Sequence, residues 1–366
     1  MTEPDNLSIA RQHLSDAISN FQPPTCDPLN VSPWIAMSAL QKAIRRGHDG
    51  LALRAAATLL TISPERLWRR CGCIAFEDIG VADLDTVAIV TASLAGKRYR
   101  ARIGGEALVA SYIVSRMVRA PKCRGADDLL LTADLHPSRE TARRELSTLP
   151  TPELLRFATG SGPLPERAVA LWYACGTNWR TSPHLRSRRG EPGVAFDELA
   201  TAGLSLPMVE IAREGYRKLG EALCPFVALL QPLKQSGATT IADDPLPPET
   251  MIGEVPSWAI DMYSREGRAA LNAFLQGDSE TARWVRAHLP AARRVNFLGT
   301  VVFRVEGQLC LRRLRWPVAN ELRRMVDFEC NGPHCTDATE VLELMRGDIP
   351  ALNGVRVDVM GATSHV

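Results

Sequence analysis

Apolar side chains recur three and four positions apart over most of this chain, the spacing of amphipathic helices. Trp34, Met37, Leu40 and Ile44 follow it behind Ser32-Pro33, where serine caps the first turn and proline takes the first helical position; Gly47 closes the run. Ser63-Pro64-Glu65 repeats this start signal ahead of Leu67, Trp68 and Ile74, and Thr151-Pro152-Glu153 supplies a third. The same periodicity predicts helices near 7–20, 50–60, 83–95, 104–119, 137–148, 164–175, 206–219, 258–276 and 279–288. One stretch alternates instead. In 295–314, Phe297, Val301, Phe303 and Val305 lead into Glu306-Gly307, and Leu309, Leu311 and Leu314 lead out. This predicts a β-hairpin, followed by a helix over 318–328. No internal repeat stands out.

The expected fold is therefore mainly α, a multi-helix domain followed by further helices and a C-terminal module with a small β-hairpin. Three polar, Pro- or Gly-rich stretches, 22–33, 176–193 and 235–256, read as connections. They divide the chain into an N-terminal helix and linker (1–30), a helical domain (31–150), a helical extension with an Arg-rich loop (151–245) and a C-terminal α+β module (246–366).

Composition narrows the class. With 45% apolar and 23% charged residues in 366, the chain can bury a sizeable core. No apolar run approaches the roughly 18–20 residues of a membrane span. Residues 1–20 carry acidic side chains and no apolar signal core, so a cytoplasmic protein is expected. Nine cysteines, an odd number scattered through helical patterns, are expected to be reduced thiols. The net charge of +2 neither requires nor excludes a nucleic-acid partner. Only five of the 43 basic residues are lysines, which fits either a compositional bias or guanidinium contacts to phosphate and bases.

Phe76-Glu77-Asp78-Ile79-Gly80-Val81-Ala82-Asp83 resembles the S-E-D-I-G-L-A-D run of the RarA/MgsA-type replication-associated ATPases and their eukaryotic Werner-helicase-interacting relatives. Upstream, Ser38 to Arg45 (SALQKAIR) resembles that family's S-A-x-x-K-S-I-R helix, with its continuation loosely kept at Asp49 to Leu53. Downstream, Val118-Arg119-Ala120-Pro121-Lys122 resembles the L-A-x-A-P-K step, after which a new helix starts at Gly125-Ala126-Asp127-Asp128. The resemblance covers residues 31–140, roughly 110 of 366. It implies a helical region that mediates oligomerisation, hence a homo-oligomer or a separate ATPase or replication protein as partner. The ATPase engine is missing. No G-x-x-x-x-G-K-[ST] occurs, and Ala95-Gly96-Lys97-Arg98 lacks both the hydroxyl and the upstream glycine, so no nucleotide turnover is expected. Glu77 and Asp78 are open to two readings: an acidic surface that docks a partner, or part of a turn that needs Gly80 and leads to Asp83 as a helix cap.

Two further clusters carry candidate chemistry. Asp261, Arg265 and Glu266, if helical, place a carboxylate one turn from a guanidinium; this suits general acid–base work with a phosphate clamp, as in a carboxylate-based glycosylase or nuclease, or simply a solvated ion pair. No lysine follows Lys234, so the C-terminal module contains no amine for Schiff-base chemistry. Cys330, His334 and Cys335 lack the paired spacing of a zinc site, as do Cys71 and Cys73, and neither metal nor cofactor is expected. The second cluster is basic: Arg304, Arg312, Arg313, Arg315, Arg323 and Arg324, with Arg283, Arg286, Arg293 and Arg294 upstream and Trp284, Phe297, Phe303 and Trp316 interleaved. Guanidiniums for phosphates and rings for bases suit single-stranded or distorted DNA, although aromatics on strands also serve as core and Glu306 and Glu321 can pair some arginines. The leading expectation is a non-ATPase DNA-maintenance protein that binds DNA through this Arg-rich module. The alternatives are a nucleic-acid-processing enzyme using Asp261, Arg265 and Glu266, and an oligomeric adaptor that never touches DNA.

Overall fold

The computed structural model describes residues 5–179 and 182–363. Nineteen α-helices dominate them, joined by two antiparallel sheets of two short strands each. No helix among the described residues is long and apolar enough to cross a membrane.

Helices start at all three expected places, but only the first signal caps: neither Ser63 nor Thr151 makes a cap hydrogen bond, and Thr151 Oγ1 donates to Glu191 at 2.6 Å instead. Ser32 Oγ accepts a hydrogen bond from Ile35 N at 3.3 Å and Pro33 opens the Pro33–Arg46 helix, which ends at left-handed Gly47. Asp83 caps Leu84–Ser93, its Oδ1 accepting from Thr86 N at 3.0 Å. Pro33–Arg46 packs on Asp49–Ile62, which packs in turn on Glu106–Arg119. Gly125–Leu135 lies deeper and is covered by Leu164–Cys175, Leu223–Gln235 and, from the far end of the chain, Pro317–Glu329.

The apolar interior forms two clusters. The larger gathers residues from Ala10 to Ile260 and takes in Leu314, Trp316, Ala319 and Leu322. The smaller belongs to Arg265–Gln276, Glu280–His288, Ala291–Val302 and Thr339–Thr363, with Leu298, Val301, Val341 and Met345 at its centre.

The 295–314 hairpin is corrected. Ala291–Val302 is a helix, and Phe303–Gly307 prolongs it as one wide π-turn. Phe297, Val301 and Val305 are alternate members of a period-two series but also stand four apart. They therefore line one helical face, and all three are buried. Arg313–Arg315 is a strand, but its partner is Thr240–Ala242 in the expected linker, with Ile241 opposite Leu314. The small hairpin of the C-terminal third is Met251–Ile252 against Val255–Pro256. The helix expected from 258 begins only at Arg265, because Ser264 Oγ caps Gly267 N at 2.9 Å. Asp261 thus stands in a loop and makes no i,i+4 pair with Arg265.

Candidate active-site cleft

One face of Pro33–Arg46 carries Ser38, Gln41, Lys42 and Arg45 at the i, i+3, i+4, i+7 spacing of a helical stripe. Opposite it, Pro64–Ile74 ends in a π-turn, Ala75–Ile79, which sets the consecutive carboxylates of Glu77 and Asp78 against the Arg45 guanidinium. Gly80 follows at φ 48°, and a Cβ there would lie 2.9 Å from the carbonyl oxygen of Cys123. Glycine is what lets Cys123 N donate to the Asp78 carbonyl at 2.8 Å and brings Arg124 alongside. These elements, the loop at Asp261 and the second π-turn at Phe303 enclose a cleft of about 480 Å³.

Asp78 has no exposed surface. Its carboxylate accepts from Arg45 Nε and Gln41 Nε2, each at 2.8 Å, and from Arg124. Glu77 Oε1 accepts from Arg45 at 2.8 Å and Arg124 at 3.0 Å, and Arg124 also pairs with Asp127. The Phe303 ring lies 5.5 Å from the Arg45 guanidinium carbon and 5.4 Å from that of Arg124. Burial alone raises the Asp78 carboxyl, but the two arginines outweigh it and hold it below the usual range. Three carboxylates here share two guanidiniums, and the surplus falls on Asp127: burial, opposed by Arg124 and reinforced by Glu77, pushes it up to about 7.

A second ion pair stands beside the first. Lys42 Nζ donates to Asp261 Oδ2 at 2.7 Å and to the Trp258 carbonyl at 2.6 Å. Ser38 Oγ donates to the same carboxylate oxygen at 2.7 Å, and Tyr263 N to Oδ1 at 2.9 Å. The Lys42 side chain is 5% exposed and that of Asp261 18%. Burial lowers the Lys42 pKa; it raises that of Asp261, but Lys42 more than offsets this and keeps the acid ionised. Both line the cleft. Trp34, 52% exposed, and Tyr263, 71% exposed, stand at its rim. Behind Lys42, Arg45 Nη1 donates to Gly307 O at 2.8 Å and Arg46 Nη2 to Glu306 O at 2.9 Å, tying the helix to the second π-turn.

The structure separates several expected partners. Of the trio Asp261, Arg265 and Glu266, only Asp261 lines the cleft; Arg265 is exposed and Glu266 half-buried outside it. Asp78 is enclosed and offers no acidic surface to a partner, while Glu77 faces the cleft. The expected open basic face is mostly paired internally. Arg304 is buried, donating to Asn331, to the Asp327 carbonyl at 3.0 Å and to the Cys330 carbonyl at 3.1 Å. Buried Asp244 collects Arg313 at 2.7 Å, Arg315 at 3.2 Å and Arg323 at 2.9 Å. Arg324 is clasped by Glu321 and Glu329, and Arg312, at φ 52°, donates to the Arg119 carbonyl. Trp316 is a core side chain. Among the described residues no cluster of three or more His, Cys, Asp or Glu could hold a metal ion.

The residues that sequence reasoning passed over are Lys42, Gln41 and Asp127 in the cleft, Arg124 enclosed beside Glu77 and Asp78, and Asp244 beneath the arginines. Lys42 and Arg45 had one available signal, a charged stripe on an otherwise apolar helix. Asp244 had none beyond its Pro-rich surroundings. No protein-family model, no curated protein and no solved structure matches this chain. Nothing in those comparisons links the chain to the RarA/MgsA-type proteins.

Proposed function

We propose that this protein is an enzyme acting on nucleic acid, cleaving the bond between a base and its sugar in the cleft, with Asp261 as its catalytic carboxylate. The observation that carries this reading is the Lys42–Asp261 pair in a cleft rimmed by Trp34 and Tyr263. Its volume falls in the range of small-ligand sites, roughly 300–1,000 Å³, which suits one base taken out of its stack. Rupture of a glycosidic bond leaves positive charge on the sugar, and a carboxylate held ionised nearby stabilises it. Asp261 is such a group: three hydrogen bonds fix it, leaving about one of its roughly four acceptor positions for water or sugar. The exposed side chains of Trp34 and Tyr263 suit contact with a base, and Arg70 on the wall and Arg66, over the Trp34 ring at 5.2 Å, suit phosphate. Nucleic-acid contact is thereby assigned to the cleft rim in place of the internally paired C-terminal arginines.

The test is release of free base, followed by mass spectrometry, from oligonucleotides carrying a panel of deaminated, alkylated, oxidised and bulky modified bases. Wild type is expected to release at least one, and Asp261→Asn to slow that release by about 10²–10⁴-fold while still binding the oligonucleotide. If no base leaves any member of the panel, the reading falls.

A further inference from the structure

We infer that Lys42 is an amine nucleophile, and that the cleft takes the aldehyde of a ring-opened abasic sugar and holds it as an imine on Lys42 Nζ. This rests on the reading of the cleft as a nucleic-acid enzyme and names the second reacting group of the same site.

The hydrogen-bond count at Nζ motivates it. An ammonium has three N–H donors and a neutral amine two, with one lone pair. Lys42 Nζ makes two hydrogen bonds, to Asp261 Oδ2 and the Trp258 carbonyl. Loss of one proton therefore leaves both acceptors served and a lone pair uncommitted. Burial favours the neutral form in the same direction. Gly307 preserves the room around the stem: a Cβ there would stand 3.4 Å from Lys42 Cε and 2.8 Å from Phe303 Cδ2. Lys122, the other buried lysine, shares the count of two and the effect of burial but not the site. Its Nζ serves two backbone carbonyls, those of Val118 and Ala120, and not a carboxylate, and it does not line the cleft.

The step balances without any further reagent. Asp261 takes one proton from the Lys42 ammonium, and the Nζ lone pair so freed forms a bond to the aldehyde carbon as the carbonyl π pair moves to oxygen. Asp261 then gives that proton to the oxygen. A second proton leaves nitrogen as the C–O bond breaks, so one water departs and a C=N bond remains. The same carboxylate thus serves glycosidic cleavage first and proton transfer second, as its 2.7 Å contact with Nζ allows.

The full-length protein would be mixed with an oligonucleotide containing one abasic site in the presence of sodium borohydride, which reduces an imine to a stable amine. The expected result is a covalent protein–DNA adduct whose peptide map places the oligonucleotide remnant on Lys42. Lys42→Arg should abolish it, Lys97→Ala on the exposed surface should leave it unchanged, and Asp261→Asn should slow its formation at least about tenfold. Because a Lys42 variant can lose stability, the map on wild type is the deciding measurement. No adduct, or an adduct mapped to any other amine, overturns the inference. Base release without an adduct leaves the proposed function standing and removes Lys42 as nucleophile. An adduct without base release from the panel supports Lys42 and removes the glycosidic reading.

Discussion

Glu306 and Arg356 are joined by two hydrogen bonds, of 3.1 and 2.8 Å, with each side chain only 2% exposed. The pair ties the second π-turn, and through it the wall behind Lys42, to the C-terminal helix Thr339–Thr363. Removing one partner strands a buried charge, which costs about 3–5 kcal/mol, whereas apolar replacement of both is often nearly neutral. Arg356→Leu is therefore expected to lower unfolding stability by about that amount, and the double variant Glu306→Leu/Arg356→Leu to recover most of it. Denaturant titration of the three proteins checks this; equal losses in the single and double variants would contradict it.

Acid should loosen the protein through the enclosed carboxylates. Burial raises Asp244, but Arg313 and Arg323 outweigh it, and its pKa lies below the usual value. A depressed folded-state pKa gives stability that is present above the unfolded value of about 3.9 and lost as pH falls through the folded one. Wild type should therefore lose stability steeply below about pH 4, and Asp244→Asn should show a shallower acid slope from a lower plateau. Chemical denaturation between pH 3 and 7 measures both; parallel curves would remove Asp244 from the account.

Asp127 should act in the opposite sense. Its pKa is raised to about 7, so its contribution is complete below the unfolded value of about 3.9 and is lost as pH rises through about 7. Stability is expected to decline from pH 5 to 8, and Asp127→Asn, which keeps an acceptor for Arg124 without the surplus charge, should flatten that decline. An unaltered slope in the variant would place the titration elsewhere.

Two tryptophans should separate stability from binding. Trp316 is enclosed, so Trp316→Ala is expected to cost roughly 3–5 kcal/mol of stability. Trp34 is half exposed at the cleft rim, and its replacement by alanine should leave the melting temperature nearly unchanged while weakening single-stranded DNA binding by about 1–3 kcal/mol. Thermal melts and DNA titrations on both variants distinguish these outcomes, and a large stability loss at Trp34 would make it a core residue.

What the sequence determined by itself is local. Ser32 and Asp83 cap helices, Gly47 ends one, and the three- and four-residue spacing sets the mainly helical class, because each of these effects works through bonds to residues at most four away. The motif around Gly80 was legible as a turn for the same reason, since a backbone at φ 48° favours glycine. Tertiary structure decided the rest. Phe297, Val301 and Val305 satisfy a strand and a helix equally, and only the apolar neighbours from Arg265–Gln276 and Thr339–Thr363 select the helix. An arginine in a sequence does not name its carboxylate: Arg313, Arg315 and Arg323 find Asp244 only because Thr240–Ala242 pairs with Arg313–Arg315. Lys42 meets Asp261 across 219 residues, so the absence of lysine from the C-terminal module said nothing about a site completed by the N-terminal half. Ion pairs of this kind follow from which helices pack together, a property of the whole interior that no short window of the chain contains.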